Sequence, residues 1–253
     1  MKDFTVKLAL QAGQEIAKRF TRQQIVKYKT KRQVVTQADL IADRIITKAI
    51  KQKFPAHNII SEESGLLQNQ SEYTWVIDPL DGTTNFTLGI NFFAVSIALF
   101  KSSQPIMGVI YDPINQTIYT AQQGKGSYLN NRRLKVSARN KISDSILTFC
   151  HGEGNRDINR VSQIRQRLIA KAKNARLFGC ASLELGLVAS GRTESFLVPS
   201  ARSWDVGAGV IIVREAGGAV TDFKGQNWNI KSKDMVASND LIHRELIKIL
   251  KTI

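Results

Sequence analysis

Apolar residues recur at spacings of three and four between residues 4 and 20. Val6, Leu10, Gly13, Ile16 or Ala17, and Phe20 fall on one stripe, which predicts a helix. A second stripe, Leu40, Ile41, Ile45, Ile46, Ala49, Ile50 and Phe54, predicts another helix, with Thr36 or a neighbour as N-cap and Pro55 beyond its end. Asp39 in its first turn is accounted for by the helix dipole. Beyond it the pattern changes to short β-forming runs, with strands predicted over 57–60, 75–77, 92–100, 107–111, 117–121 and 126–129, in a meander ending near Val136. Asp78 is read as ending the second of these, because Pro79 cannot donate to a ladder. Serial strands of this kind predict a large antiparallel or mixed sheet in the first half.

The second half alternates. Strands are predicted over 146–150, 176–178, 193–198, 219–221 and 235–237, and helices over 158–172, 182–190, 204–216 and 239–250. Gly217-Gly218 suit the C-cap of the third of these helices, and Leu241, Ile242, Leu246 and Leu250 share a face of the last. No repeat, low-complexity tract or linker interrupts the chain. It is therefore read as one unit over 1–253, an α+β half (1–140) and an α/β half (141–253), each packed as layers of helices and sheets.

The chemistry concentrates between Trp75 and Phe86. Asp78 and Asp81, at the end of a buried strand, can share a hard cation such as Mg²⁺. Gly82-Thr83-Thr84 offers backbone N–H groups and hydroxyls that suit a phosphate, particularly if a helix begins there. The same residues also suit a polar turn, since Asp-Pro and Asp-Gly are common turn dipeptides. The acidic pair Glu62-Glu63 after the 57–60 strand, taken alone, reads as surface charge.

Composition changes this picture at one point. The 253 residues, 43% hydrophobic and 23% charged, are ordinary for a globular protein, but the net charge is +15. Such a charge favours polyanions or anionic substrates. Cys150 and Cys180 form no framework, and three scattered histidines argue against a zinc site. No apolar run reaches membrane-spanning length and the N-terminus lacks a signal-peptide pattern, so a cytoplasmic protein with no membrane partner is expected.

Five blocks in order then carry a resemblance. Asp78-Pro79-Leu80-Asp81-Gly82-Thr83-Thr84-Asn85-Phe86, Trp204-Asp205-Val206-Gly207-Ala208-Gly209 running into Glu215-Ala216-Gly217-Gly218, Glu62-Glu63-Ser64, Gly108-Val109-Ile110-Tyr111-Asp112-Pro113, and Lys29 with Val35-Thr36 and Asp39 are similar to the motifs of the inositol monophosphatase family of Mg²⁺-dependent phosphatases. The resemblance implies a layered α-β-α-β-α sandwich, lithium sensitivity, a homodimer, and two to three Mg²⁺ ions per site. It implies that Glu62, Asp78 and the Leu80 carbonyl hold a first metal, and that Asp78, Asp81 and Asp205 hold a second. It further implies that Glu62 borders a looser third metal, with the loop of Lys29 in its neighbourhood. Asp39 with Thr83 would orient and deprotonate the attacking water, and the N–H groups of Gly82 and Thr83 would hold the phosphate. Gly179, Cys180 and Ala181 match the substrate-side loop, with a cysteine at its middle.

The chain departs from the family pattern where substrate is read. Relatives acting on inositol phosphate commonly carry a glutamate seven residues before the C-terminal aspartate, and here that position is Val198. A valine cannot accept a hydroxyl's hydrogen bond. Glu194, the nearest other carboxylate, is expected to face solvent. Ser61 replaces a usual glycine and Asn91 a frequent proline, and neither is expected to affect the metals. The function expected is hydrolysis of small phosphate monoesters, of inositol 1-phosphate or related sugars and polyols. Fructose-1,6-bisphosphate, a 3′-phosphorylated nucleotide and histidinol phosphate are alternatives within the same chemistry. An RNA- or ribosome-associated accessory protein is the alternative of a different class, supported by the charge and by nine Lys or Arg against two acids in residues 1–32, which would give weak RNA binding.

Overall fold

The apolar stripes of the first two helices pack on each other and on one face of a sheet. The computed structural model describes residues 1–20, 25–28, 34–152 and 154–251. Helix α1 (Lys2–Ala17) is followed by a two-stranded ribbon, β1 (Ile25–Tyr28) with β2 (Val34–Thr36), and by α2 (Gln37–Lys53). Thr36 caps α2, its hydroxyl facing the Asp39 N–H while the Asp39 carboxylate accepts from the Thr36 backbone N–H. That reciprocal pair fixes where the helix starts. Strands β3 (Asn58–Ser61), β4 (Gly65–Leu67) and β5 (Tyr73–Asp81) lead through the short helix α3 (Thr83–Thr87) to β6 (Ala94–Lys101), β7 (Gln104–Asp112), β8 (Thr117–Gln122), β9 (Gly126–Leu129) and β10 (Arg132–Arg133). They form one eight-stranded sheet in the order β10-β9-β8-β7-β6-β5-β3-β4, antiparallel except where β3 runs parallel to β5.

The rest of the chain is β11 (Ile146–Phe149), α4 (Asn155–Ile169), β12 (Asn174–Arg176), α5 (Ala181–Ala189), β13 (Ser195–Val198), α6 (Ser203–Glu215), β14 (Ala219–Thr221), β15 (Met235–Ser238) and α7 (His243–Leu250). Its five-stranded sheet has the order β12-β11-β13-β15-β14, with β12, β11 and β13 mutually parallel. Three apolar clusters separate the layers. Ile16, Ile46, Trp75 and Ile77 join α1 and α2 to the large sheet. Val76, Ala98, Leu185, Val210 and Phe196 place α5 and α6 between the two sheets. Phe149, Ile164, Leu197 and Leu246 seat α4 and α7 on the outer face of the small sheet. The layer order is thus α-β-α-β-α, as the resemblance implies. Helices α5 and α6 are apolar almost all round because they are covered on both sides. Among the described residues no helix is long and apolar enough to cross a membrane.

The structure corrects the local reading at four points. Strand β5 does not stop at Asp78 but continues to Asp81, its register against β6 shifting between Asp78 and Asp81, so Pro79 lies in a bulge where its missing donor costs no ladder bond. The strand expected at 176–178 lies earlier, at β12. Leu241 precedes α7 and is 56% exposed, not on the apolar face expected for it. Glu194 does not face solvent: it is fully buried, its carboxylate accepting from Arg139 at 2.7 Å and from the Ile146 N–H at 2.6 Å.

Candidate active site

The bulge in β5 aims two carboxylates into one crevice. Asp78 is 1% exposed, and its Oδ1 accepts the Leu80 N–H at 3.0 Å across the bulge. The parallel pairing of β3 with β5 places Ser61 opposite Ile77, and the Glu62 N–H then donates to the Ile77 carbonyl at 3.1 Å, which sets Glu62 beside Asp78. From the other side, Ser96 on β6 donates to the Trp204 carbonyl at 3.4 Å, and Asp205 follows in the first turn of α6. Oxygens of Glu62, Asp78 and Asp205 consequently lie within 4.8 Å of one another. Burial first, then the charges of Glu62, Asp81, Asp205 and Asp39, push the Asp78 carboxyl well above its ordinary range. Carboxylates crowded in this way repel unless a cation lies between them, and an all-oxygen donor set suits a hard divalent ion.

Asp81 lines the same cavity but is tied to another element. Its Oδ2 accepts the Ser182 N–H at 2.6 Å and faces the Cys180 thiol at 3.2 Å, both at the start of α5. Burial raises its proton affinity, and these bonds partly offset the rise. Leu80 also lines the cavity, and its carbonyl accepts from the Thr83 hydroxyl at 2.9 Å. Gly82, at φ +90°, caps α3, and a Cβ there would come within 3.0 Å of the Phe92 carbonyl, so this turn requires glycine.

Asp39 does more than serve the dipole of α2. One oxygen takes the Thr36 N–H, and the other faces the Thr83 hydroxyl at 3.1 Å. That hydroxyl has one proton to share between Asp39 and Leu80, so its lone pairs remain able to accept from a third group. Burial pushes Asp39 up to about 6, against the hydrogen bonds from Thr36.

The far side of the cavity, which measures about 190 Å³, is built from the C-terminal ends of the three parallel strands. Cys150, His151 and Gly152 follow β11, Gly179 and Ala181 follow β12, and Val198 ends β13 with Ser200 just beyond it. Helix α4 packs on the outer face of this sheet and α5 on its inner face, and a crevice opens where two crossovers diverge in this way. Gly179, Ala181 and Val198 therefore line the same cavity as Glu62, Asp78 and Asp205. Cys180 does not reach the cavity: its side chain is fully buried and turned to Asp81, because the residue is the N-cap of α5 and packs beneath it. Lys29 lies outside the described residues.

Four contributors escape the sequence reading. Asp43 is buried and accepts hydroxyls from Ser61 and from Ser64 at 3.3 Å, which anchors the turn carrying Glu62. An aspartate on the same helical face as Ile46 and Ile50 was the available signal. Asn85 donates to the carbonyls of Phe92 at 2.8 Å and Phe178 at 2.7 Å, joining the central motif to the loop before α5. Glu184 is the lone carboxyl of an otherwise uncharged helix. His151 follows a strand end at which the sheet's connections diverge, a position visible only once the strand order is known.

The model of the inositol monophosphatase family matches residues 1–253. The chain is 36% identical over 252 residues to an inositol-1-monophosphatase of Mesorhizobium japonicum, covering 97% of this chain and 94% of the relative. It is 36% identical over 251 residues to the Nus factor SuhB of Pasteurella multocida, covering 98% and 94%. The crystal structure of the extragenic suppressor protein suhB from Bartonella henselae superposes with a TM-score of 0.92 at 36% identity, covering 98% of this chain and 97% of that one. With matches over its whole length in sequence and in fold, the chain belongs to the inositol monophosphatase family.

Proposed function

We propose that this protein is a Mg²⁺-dependent phosphatase of small phosphate monoesters. The observation that carries the reading is the meeting, in one cavity, of the Glu62–Asp78–Asp205 oxygens with Thr83, whose hydroxyl is bonded to the buried Asp39 carboxylate behind it. Glu62, Asp78, Asp81, Asp205 and the Leu80 carbonyl are the groups suited to hold two to three Mg²⁺ ions. When bound, such ions neutralise charge on the phosphoryl oxygens and acidify water. Thr83 orients the attacking water and takes its proton onto the hydroxyl oxygen while passing its own to Asp39, whose raised proton affinity matches a base working near neutral pH, and the departing alkoxide is protonated from solvent. The N–H groups of Gly82 and Thr83 hold the phosphate, while Gly179, Ala181 and Val198 face the alcohol portion. Phosphate release from a panel containing inositol 1-phosphate, glycerol 2-phosphate, fructose-1,6-bisphosphate, a 3′-phosphonucleotide and histidinol phosphate tests this reading. Mg²⁺-dependent turnover of small esters is expected, and no release from any of them would overturn it.

Val198 shapes the choice among these esters. It is 4% exposed, closes β13 opposite Met235 and lines the cavity. No carboxylate stands there to bind ring hydroxyls, so inositol 1-phosphate and glycerol 2-phosphate should be used at comparable rates. Val198→Glu should raise kcat/KM for inositol 1-phosphate by about tenfold, the worth of one charge-assisted hydrogen bond, and leave glycerol 2-phosphate within about twofold. Steady-state kinetics on the two esters decides it. A micromolar KM of the wild type for inositol 1-phosphate, with glycerol 2-phosphate much poorer, would show that other groups read the ring.

A second reading, an RNA- or ribosome-associated accessory protein with a residual phosphatase pocket, is favoured by the charge of +15 and by the relative named Nus factor SuhB. RNA binding that weakens steeply with salt, together with negligible turnover, would select it.

A further inference from the structure

Helix α5 reads Ala-Ser-Leu-Glu-Leu-Gly-Leu-Val-Ala, and its single carboxyl, Glu184, is fully buried. A carboxyl in such a place costs free energy unless its oxygens are bonded. Oε1 accepts the Gly179 N–H at 3.1 Å and the Cys150 thiol at 3.3 Å. Burial pushes the group up to about 8, so at neutral pH it holds a proton and adds no negative charge behind Asp81.

The two groups that Glu184 grips belong to different walls of the cavity. Cys150 follows β11, Gly179 follows β12, and both line the space described above. The loop from Phe178 to Ser182 is pinned at three points. Asn85 holds the Phe178 carbonyl at 2.7 Å, Glu184 holds the Gly179 N–H, and Asp81 holds the Ser182 N–H at 2.6 Å. Gly179 itself stands at φ +79°, a conformation that its own flexibility does not select over others, so the bond to Glu184 helps to fix it. Asn85 and Asp81 come from the central motif, and of the three pins only Glu184 also reaches the end of β11.

We propose that Glu184 is a positioning residue for the substrate. By bonding Gly179 and Cys150 to one oxygen, it sets the distance between the two walls that receive the alcohol portion of the ester. This rests on the phosphatase reading of the cavity. Glu184 touches neither the phosphate nor the carboxylates that gather around Asp78, so its loss should act on KM more than on kcat. A neutral acceptor is sufficient for the role. Glutamine, close in shape to a protonated glutamate, should therefore serve, and leucine, which fills the space without an acceptor, should not.

The test compares wild type, Glu184→Leu and Glu184→Gln by steady-state kinetics on glycerol 2-phosphate and by hydrogen exchange of the amides from Gly179 to Ser182. Expected for Glu184→Leu are a KM raised about tenfold, a kcat within about twofold of wild type, and faster exchange at Gly179. Glu184→Gln should return both readouts to within about twofold of wild type. An unchanged KM and unchanged exchange in Glu184→Leu would overturn the proposal, as would a glutamine variant as impaired as the leucine one. A loss confined to melting temperature, with normal kinetics in the folded enzyme, would reduce Glu184 to a packing residue and overturn it too. Should Glu184→Leu fail to fold, Cys150→Ala removes the other contact, and a KM raised about threefold is expected, with no change counting against the proposal. A wild type that hydrolyses no ester would retire the phosphatase reading, while the exchange data would still decide whether Glu184 holds the loop.

Discussion

Asp78→Asn is expected to lower kcat by at least about a thousandfold while leaving the fold intact, because several kcal/mol of charge stabilisation would rest on the ions that Asp78 is proposed to hold. Asp78 is the residue around which the others gather, 1% exposed and crowded by Glu62, Asp81, Asp205 and Asp39. The same crowding makes a second expectation in the metal-free protein. Asp78 binds its proton more tightly when folded than when unfolded. Its favourable contribution is therefore complete below its unfolded value and is lost as pH rises through the folded one. An asparagine does not lose it. In chelator, Asp78→Asn should melt at a higher temperature than wild type at about pH 7.5, and the advantage should shrink towards about pH 5. Near wild-type turnover would sink the assignment of Asp78. An asparagine variant less stable than wild type at the higher pH would contradict the repulsion.

Asp39→Asn and Thr83→Ala should each lower kcat by about a hundredfold or more, the usual worth of a positioned base, and the double variant should be no worse than the poorer single one. The two side chains meet at 3.1 Å and are proposed to act on one water, so removing either disables the other. Asparagine at Asp39 can still accept the Thr36 N–H that starts α2, which keeps the test on chemistry rather than folding. Measured kcat values for the three variants decide the matter. Losses that multiply fully would mean independent roles, and the relay would have to be abandoned.

Local pattern made much of this legible. The stripe from Leu40 to Phe54 defines α2, and the nine residues from Asp78 to Phe86 place carboxylates, a glycine turn and hydroxyls together. What escaped depends on contacts distant in sequence. Pro79 looks like a strand end until β6 is seen to pair on both sides of a bulge. Glu194 looks solvent-facing until Arg139, fifty-five residues away, is seen beside it. Asp43 and Glu184 carry a faint signal, one charge on an apolar face, but their partners Ser61 and Cys150 lie on other elements. The gathering of Glu62 and Asp205 around Asp78 follows from β3 running parallel to β5 and from α6 packing on β6, and periodicity encodes neither. Motif order supplied that grouping through the family likeness.

The most direct measurement is the initial rate of phosphate release from glycerol 2-phosphate as Mg²⁺ is titrated into chelator-treated protein, wild type beside Asp78→Asn. The expected result is no release without Mg²⁺, a saturable rise to full rate in the wild type, and no rise in the variant. A full rate in the presence of chelator, or a rate in Asp78→Asn that Mg²⁺ restores to that of the wild type, would contradict the role given to the carboxylate cluster.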